Sequence, residues 1–147
     1  MDARPSSVQG PRTLAKRGCP VYKRPVKKWL FIAAVSGALA VIAAALAAHA
    51  RNLGPAAETD IRLGASYQLS HALAMGLAAL AGRGRAATCA AISASLFLAG
   101  ILLFSGGLYL LSVTGMHGFA FMVPFGGMAF IAGWVALAVT ALKWEAS

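Results

Sequence analysis

Residues 86–142 form an uninterrupted stretch without Lys, Arg, Asp or Glu. Drawn as a single helix, the stretch would be about 85 Å long at about 1.5 Å per residue, whereas the hydrocarbon core of a bilayer is about 30 Å thick. It must therefore turn back once, and the two glycines in the run GMHG at 115–118 mark the natural break. This pattern predicts two membrane spans, at about 92–113 and 119–142.

Two further apolar segments precede this stretch, at about 29–48 and 63–81. Each is about as long as a membrane-crossing helix requires, although the second is the most polar of the four segments. The chain is 59% hydrophobic and 12% charged, whereas soluble proteins average about 25% charged residues. We therefore expect an all-α integral membrane protein, with four transmembrane helices forming an antiparallel bundle over residues 29–147.

The ends of the first two spans carry further signals. The run AHA at 48–50 resembles a signal-peptide cleavage site, but the apolar segment is longer than the 7 to 15 residues typical of signal peptides, so we expect an uncleaved span. Gly54 and Pro55 indicate a turn after it. Thr59 or Asp60 is then suited to cap the second helix.

Residues 1–28 contain four of the six prolines and no periodic apolar face. Such a segment cannot bury enough apolar surface to offset the conformational entropy lost on ordering, so we expect a disordered tail. Eight of the thirteen basic residues lie in it. Nucleic acid is one partner for such charge, but a basic segment directly before a span is better explained by anionic lipid headgroups, at about 1 kcal/mol per basic side chain. We therefore expect the lipid bilayer as partner and no nucleic acid.

The distribution of Lys and Arg among the connecting segments predicts the orientation. The tail 1–28 has eight basic residues, the link 51–62 has two that are offset by two acids, and the link 82–85 has two with no acid. The link 115–118 has none. Because positively charged flanks stay in the cytoplasm, we expect a multi-pass protein of the inner membrane with both termini cytoplasmic.

Small residues recur along the third and fourth spans. In lipid no hydrophobic force drives helices together, so small residues favour association by letting backbones approach closely. We therefore predict close packing at these glycines: Gly100, Gly106, Gly107, Gly126, Gly127 and Gly133.

Four polar residues of the spans form the candidate site: His49, Tyr67, His71 and Tyr109. Ionisable groups inside a membrane mark functional sites by default, because they are costly to bury there. Tyr67 and His71 are four residues apart and share one helix face. The same residue types also form ordinary hydrogen bonds between membrane helices, so a structural role is an equally simple interpretation.

Several functions are compatible with this pattern. Because the spans contain no carboxylate, we favour a non-enzymatic bundle that packs with a second copy or with another membrane protein. One alternative is a small transporter or proton path that uses His71 and His49, since histidine changes charge near neutral pH. Another is metal or haem ligation by the same two histidines.

Enzymatic chemistry has no support in the sequence. The spans hold no paired carboxylates and no Ser-His-acid set, and no glycine-rich loop follows a strand. Cys19 and Cys89 form no Cys-x-x-Cys motif, and we expect two free thiols. We therefore predict no catalytic residue, no metal site and no cofactor.

Several runs of sequence resemble a family of small four-span membrane proteins of undetermined function, the YgdD-like and YwdK-like family. They are AAH at 47–49, YQLSHALA at 67–74, LAGILLFSGGLY at 98–109, TG at 114–115, PFGG at 124–127 and FIAGW at 130–134. The resemblance implies a plasma-membrane location and a four-helix architecture. It implies no activity.

Overall fold

A computed structural model describes residues 24–49 and 54–143, and this part of the chain is helical without strands. Its helices are α1 (Arg24–His49), α2 (Pro55–Ala81), α3 (Ala87–Gly100), α4 (Gly106–Thr114) and α5 (Met122–Leu142). A π-helical segment, Ile101–Ser105, joins α3 to α4 without a break, and the two are called α3–α4 below. Short 3-10 helices, Gly84–Ala86 and His117–Phe121, lead into α3 and α5. The expected all-α four-helix bundle is confirmed.

Helices α1 and α2 both begin earlier than predicted. Helix α1 starts at Arg24, five residues before the predicted span. Residues 1–23, most of the tail predicted to be disordered, lie outside the described residues. Lys27 and Lys28 are good helix formers and extend the helix beyond its apolar part.

The predicted cap of α2 is wrong. The helix starts at Pro55, whose fixed φ suits a first helical position, and Gly54 occupies the N-cap without a side-chain bond. Thr59 and Asp60 therefore lie inside the helix, where the Thr59 hydroxyl donates to the Pro55 carbonyl at 2.8 Å.

Helix α2 contacts every other long helix and forms the centre of the bundle. Among the described residues, three helices are long and apolar enough to cross a membrane: Val26–His49, Gly84–Thr114 and Gly118–Leu142. Helix α2 is not one of them. Its polar residues Gln68 and His71 are buried against the other helices, which explains how the least apolar helix occupies the centre.

Neighbouring helices run antiparallel. Gly64, near the start of α2, lies beside Tyr109 of α4, whereas Gly82, just after α2, lies beside Ala90 of α3. The turn from α4 towards α5 depends on Gly115, whose φ of 66° is in the left-handed region. Its N–H donates to the Leu111 carbonyl at 2.8 Å and closes the last turn of α4.

Helices α3–α4 and α5 interlock through large side chains seated against glycines. The four pairs are Phe97 with Gly133, Phe130 with Gly100, Phe104 with Gly126, and Val123 with Gly107. We call these eight residues the Phe–Gly seam. On each helix they are spaced three or four residues apart, which places them on one face. Because each helix contributes both rings and glycines, the two surfaces are complementary.

The seam requires glycine at its close approaches. A Cβ atom added to Gly133 would lie 2.8 Å from the Phe97 ring, and one added to Gly126 would lie 2.7 Å from the Phe104 Cβ. Close packing was also predicted at Gly106 and Gly127, and there the structure differs. Among the described residues nothing lies within 4 Å of such an atom at Gly127, and only a carbonyl at 4.0 Å is near Gly106. Both glycines point away from the seam.

Candidate polar site between the helices

His71 of α2 lies between α3 and α5 and is only 7% exposed. Its Nδ1 is 2.7 Å from the Tyr67 carbonyl oxygen, one turn earlier in α2. On the other side of the ring, the Trp134 Nε1 of α5 donates to Nε2 at 3.3 Å. Because an indole N–H only donates, Nε2 is the acceptor, and the ring proton is assigned to Nδ1.

This assignment limits what His71 can do chemically. Both ring nitrogens have protein partners, so neither is open to a metal ion in this arrangement. A protonated imidazole would carry N–H on both nitrogens and would lose the bond from Trp134. The geometry therefore describes a neutral histidine that links α2 to α5.

The His71 ring is enclosed by aromatic side chains from three helices. It stacks on Phe130 with ring centroids 3.5 Å apart and planes 13° apart. Phe97 and Trp134 lie at centroid distances of 5.7 and 6.2 Å from it. Tyr67 stacks at 5.9 Å. Phe130 and Phe97 also belong to the Phe–Gly seam, so the seam and the histidine form one packed unit.

Gln68 is the second polar centre and connects three helices. Its Nε2 donates to the Ser36 carbonyl of α1 at 2.8 Å, and its Oε1 accepts the Tyr109 hydroxyl of α4 at 2.9 Å. The side chain is buried at 6% exposure. Because α1 packs mainly on α2, this hydrogen bond adds a polar link to the apolar contacts that hold α1.

Two buried serines also donate hydrogen bonds between helices. Ser93 of α3 donates to the Gly133 carbonyl of α5 at 2.9 Å. Ser105, at the end of the π-helical segment, donates to the Gly64 carbonyl of α2 at 2.8 Å. Both reach another helix, and both bond to a glycine carbonyl.

The structure brings some of the predicted site residues together and separates others. Tyr67 and His71 are in contact, and Tyr109 reaches Gln68 and not His71. His49 is exposed at the end of α1. It is thirteen residues beyond Ser36, which lies level with Gln68, so it is about 20 Å further along the bundle. The two histidines therefore do not face each other across one ion or one proton path.

Other candidate ligands lie apart from this site. Among the described residues, no three His, Cys, Asp or Glu side chains form a group that could hold a metal ion. Glu58 pairs with Arg62 at 2.9 Å near the start of α2, where both are exposed. Cys89 accepts a bond from Lys143 at 3.2 Å at the opposite end, and Cys19 lies outside the described residues.

Sequence reasoning missed Gln68 and the partners of His71 on α5. A signal for Gln68 was present, because an uncharged amide in a membrane helix has four hydrogen-bonding positions to satisfy and rarely faces lipid. No local pattern identifies Trp134 or Phe130 as neighbours of His71. Their proximity follows from the register of α5 on α3–α4, which the Phe–Gly seam sets.

Comparison with known proteins places the chain in a family. Residues 43–127 match the family described as "Protein of unknown function (DUF423)". The chain belongs to the DUF423 family. It is 37% identical over 118 residues to a UPF0382 membrane protein of Haemophilus influenzae, covering 79% of this chain and 94% of that protein.

Two further relatives give the same result. The UPF0382 inner membrane protein YgdD of Escherichia coli K12 is 34% identical over 116 residues, which cover 78% of this chain and 88% of YgdD. The UPF0382 membrane protein YwdK of Bacillus subtilis is 34% identical over 127 residues, which cover 81% of this chain and 99% of YwdK. No solved structure matches the chain. The predicted resemblance to YgdD-like and YwdK-like proteins is confirmed, and this DUF423 protein is an integral membrane protein of undetermined function.

Proposed function

We propose that this DUF423 protein catalyses no reaction and acts as a bundle in the inner membrane that binds another membrane-embedded helix. The observation that supports this proposal is the use of its buried polar groups. His71, Gln68, Tyr109, Ser93 and Ser105 all bond to protein partners inside the bundle. These bonds stabilise the packing of the helices and leave none of these side chains placed as an acid, base or nucleophile.

The outward face of α1 is the surface proposed for binding. Four small side chains on that face are exposed: Ala34, Ala38, Ala45 and Ala48. The opposite face, with Ala33 and Ala40, is buried on α2. Since α1 has α2 as its main neighbour, its outward face is free for a second helix, and small side chains favour close approach in lipid.

The orientation is part of the proposal. Both termini lie in the cytoplasm, and the basic segment before Trp29 rests on anionic lipid headgroups rather than on nucleic acid. This placement is supported by the excess of Lys and Arg before the first span and in residues 82–85.

Cross-linking tests the proposed surface. In a background with Cys19→Ser and Cys89→Ser, the variant Ala38→Cys is oxidised in native membranes and in vesicles that contain only the purified protein. A disulfide-linked dimer in both preparations identifies a second copy as the partner. A product in native membranes alone, with a thiol-reactive cross-linker, identifies a different membrane protein.

The matched control is Leu73→Cys, which places the thiol on the exposed side of α2, where Leu73 is 69% exposed. If the cross-linked product formed only by random collision in the membrane, the two cysteine positions would give the same cross-linking yield. The proposal requires at least a severalfold excess at Ala38. Equal yields at the two positions in both preparations would reject it.

A further inference from the structure

A groove of about 470 Å³ runs between α1 and α3–α4, and Gln68 of α2 lies at its base. The groove arises because α1 packs on α2 and leaves this side of α3–α4 uncovered. Leucine and isoleucine side chains of α3–α4 form one wall. The wall on α1 is a row of aliphatic side chains spaced three or four residues apart, and we call it the groove row: Ile32, Val35, Leu39, Ile42 and Leu46.

The groove is too narrow for a helix. Ile32 and Leu46 are fourteen residues apart, about 21 Å along α1, so the volume corresponds to a mean cross-section of about 22 Å². A helix about 10 Å wide has a cross-section of about 80 Å² and would rest on the rim. The occupant that matches this shape is a single hydrocarbon chain, which is long, thin and apolar.

Lys28 lies at one end of the groove row. It precedes Ile32 by four residues, so it continues the row by one turn, about 6 Å beyond the aliphatic wall. Its side chain is exposed, and no described residue bonds it. Because Lys28 is near one end of the apolar segment Val26–His49, it lies at the depth of the lipid headgroups.

A second exposed cation lies at the same end of the bundle. A small cavity of about 50 Å³ separates α1 from α3 there, and it is lined by Val26 and Trp29, by Gly82 and by the first turns of α3. Arg83 directly follows Gly82 and is exposed. Further basic residues at this end are Lys27, Arg85 and Lys143.

The two ends of the bundle differ in charge. The acidic side chains of the described residues, Glu58 and Asp60, lie in the first two turns of α2, at the end opposite to Lys28. An anion is therefore attracted to the Lys28 end. Basic pockets between membrane helices bind the headgroups of anionic lipids.

We propose that the groove binds one acyl chain of an anionic phospholipid whose phosphate lies at Lys28 and Arg83. The aliphatic walls select the chain, and the two cations select the charge. An acyl chain crosses half of the hydrocarbon core, about 15 Å, which corresponds to about ten residues of helix. A chain that enters at Ile32 therefore ends near Ile42.

Gly106 lies where the chain ends. Because α1 and α3–α4 both run antiparallel to α2, they are parallel to each other. Val26 and Ala90 line the same small cavity. Ile42 and Gly106 follow them by sixteen residues each, so they lie level. A Cβ atom added to Gly106 would have only a carbonyl at 4.0 Å nearby among the described residues, so a larger side chain would extend into the groove.

Photolabelling of the purified full-length protein in phosphatidylcholine nanodiscs tests the site. Two probes, a phosphatidylglycerol and a phosphatidylcholine, carry the same diazirine near the end of one acyl chain, and each is added as a small fraction of the lipid. We expect labels near Ile42 and Gly106. The anionic probe should give about five- to thirtyfold more label than the neutral one, the factor that one or two basic side chains provide near a membrane surface.

Two pairs of variants separate the charge from the groove. Lys28→Gln should lower the ratio between the probes about fivefold, whereas Arg62→Gln, at the opposite end of the bundle, should keep it. Gly106→Leu should remove most of the label by filling the groove. Gly127→Leu, which extends into open space on α5, should retain it.

Equal labelling by the two probes in the wild-type protein would overturn the proposal. Equal effects of Lys28→Gln and Arg62→Gln would show general attraction to a basic protein and would overturn it as well, as would labels outside the groove or a second copy cross-linked within it. The groove row and the exposed alanines of α1 lie on different faces of the helix. Failure of this site therefore leaves the cross-linking test at Ala38 unaffected.

Discussion

At the scale of single residues, Gln68 has the widest effect in the bundle because its amide bonds α1 and α4 at once. Replacing Gln68 by Leu keeps a similar volume and removes both bonds. Interhelical hydrogen bonds in membranes contribute about 0.6 kcal/mol on average and up to about 1.7 kcal/mol. We expect Gln68→Leu to lower the free energy of unfolding by about 1 to 2 kcal/mol, measured by steric trapping in bicelles.

Ser70→Ala is the control for Gln68→Leu. The Ser70 hydroxyl is exposed and donates to the Ser66 carbonyl within α2, so its removal affects no second helix. We expect Ser70→Ala to change the free energy of unfolding by less than about 0.3 kcal/mol, which is smaller than the average contribution of a hydrogen bond between membrane helices. Equal effects of the two variants would show that Gln68 does not hold α1 and α4.

Two substitutions at His71 test whether ring packing or hydrogen bonding contributes more to stability at the polar site. His71→Phe preserves the stack on Phe130 but loses two hydrogen bonds, the one from Trp134 between helices and the one to the Tyr67 carbonyl within α2, so we expect a loss of about 1 kcal/mol. His71→Ala removes the ring and leaves a cavity among aromatic side chains, which costs about 2 to 4 kcal/mol. Both values are read from the same unfolding assay. A larger loss for His71→Phe than for His71→Ala would contradict the packing argument.

The sequence predicted that Tyr67 and His71 share a face, because that follows from their spacing in one helix. It did not predict that His49 lies apart from them. The separation depends on the register of α1 on α2, in which Ser36 lies level with Gln68. Contacts within a helix can be predicted from spacing, whereas contacts between helices depend on packing that no single segment contains.

At the scale of elements, the Phe–Gly seam fixes α5 on α3–α4. In Gly126→Ala the new methyl group meets the backbone of Phe104, which cannot rotate away. In Gly100→Ala it meets the Phe130 ring, a side chain that has more freedom to move than a backbone, although its movement disturbs the stack on His71. We expect Gly126→Ala to be the more destabilising, with overpacking costs of about 1 to 3 kcal/mol for the two. Gly127→Ala, with nothing nearby among the described residues, should be close to neutral. Thermal unfolding in detergent measures all three.

A double variant separates the seam from general effects of helix propensity. Phe130→Leu makes room opposite Gly100, so Gly100→Ala combined with Phe130→Leu should cost less than the sum of the single changes. Simple additivity of the two changes would show that ring and glycine do not interact. The sequence indicated small residues on both helices, but only the structure shows which of them meet a ring, because Gly126 and the adjacent Gly127 point in different directions.

At the scale of the whole molecule, a polar helix at the centre is stabilised by apolar helices around it. Helix α2 is the least apolar of the long helices, yet its position between the others lets Gln68 and His71 meet hydrogen-bond partners. Local hydropathy predicted the segments of α1 and α5 well because those helices present apolar side chains to lipid. Hydropathy alone does not identify α2 as a membrane span, because its polar residues face protein. Membrane crossing by α2 is therefore tested separately.

Single-cysteine labelling tests whether α2 crosses the membrane. In the background with Cys19→Ser and Cys89→Ser, the variants Gly54→Cys and Thr88→Cys place exposed thiols directly before α2 and at the start of α3. The basic segment before Trp29 and the arginines in residues 82–85 favour the cytoplasmic side. We therefore expect an impermeant maleimide to label Gly54→Cys on intact cells and Thr88→Cys only after permeabilisation.

The same assay separates three topologies. With four crossings, Gly118→Cys reacts from outside like Gly54→Cys, whereas Ser147→Cys is protected like Thr88→Cys. If α2 lay along the interface, Gly54→Cys and Thr88→Cys would react from the same side, and the bundle would have three crossings. If every cysteine reacted from the side opposite to the expected one, the four crossings would be correct. The distribution of Lys and Arg would then fail to predict the orientation of this chain. Replacing the basic residues before Trp29 by Gln should then have no effect, whereas with four crossings and a cytoplasmic tail it should give mixed labelling, because the charges that select one orientation are gone.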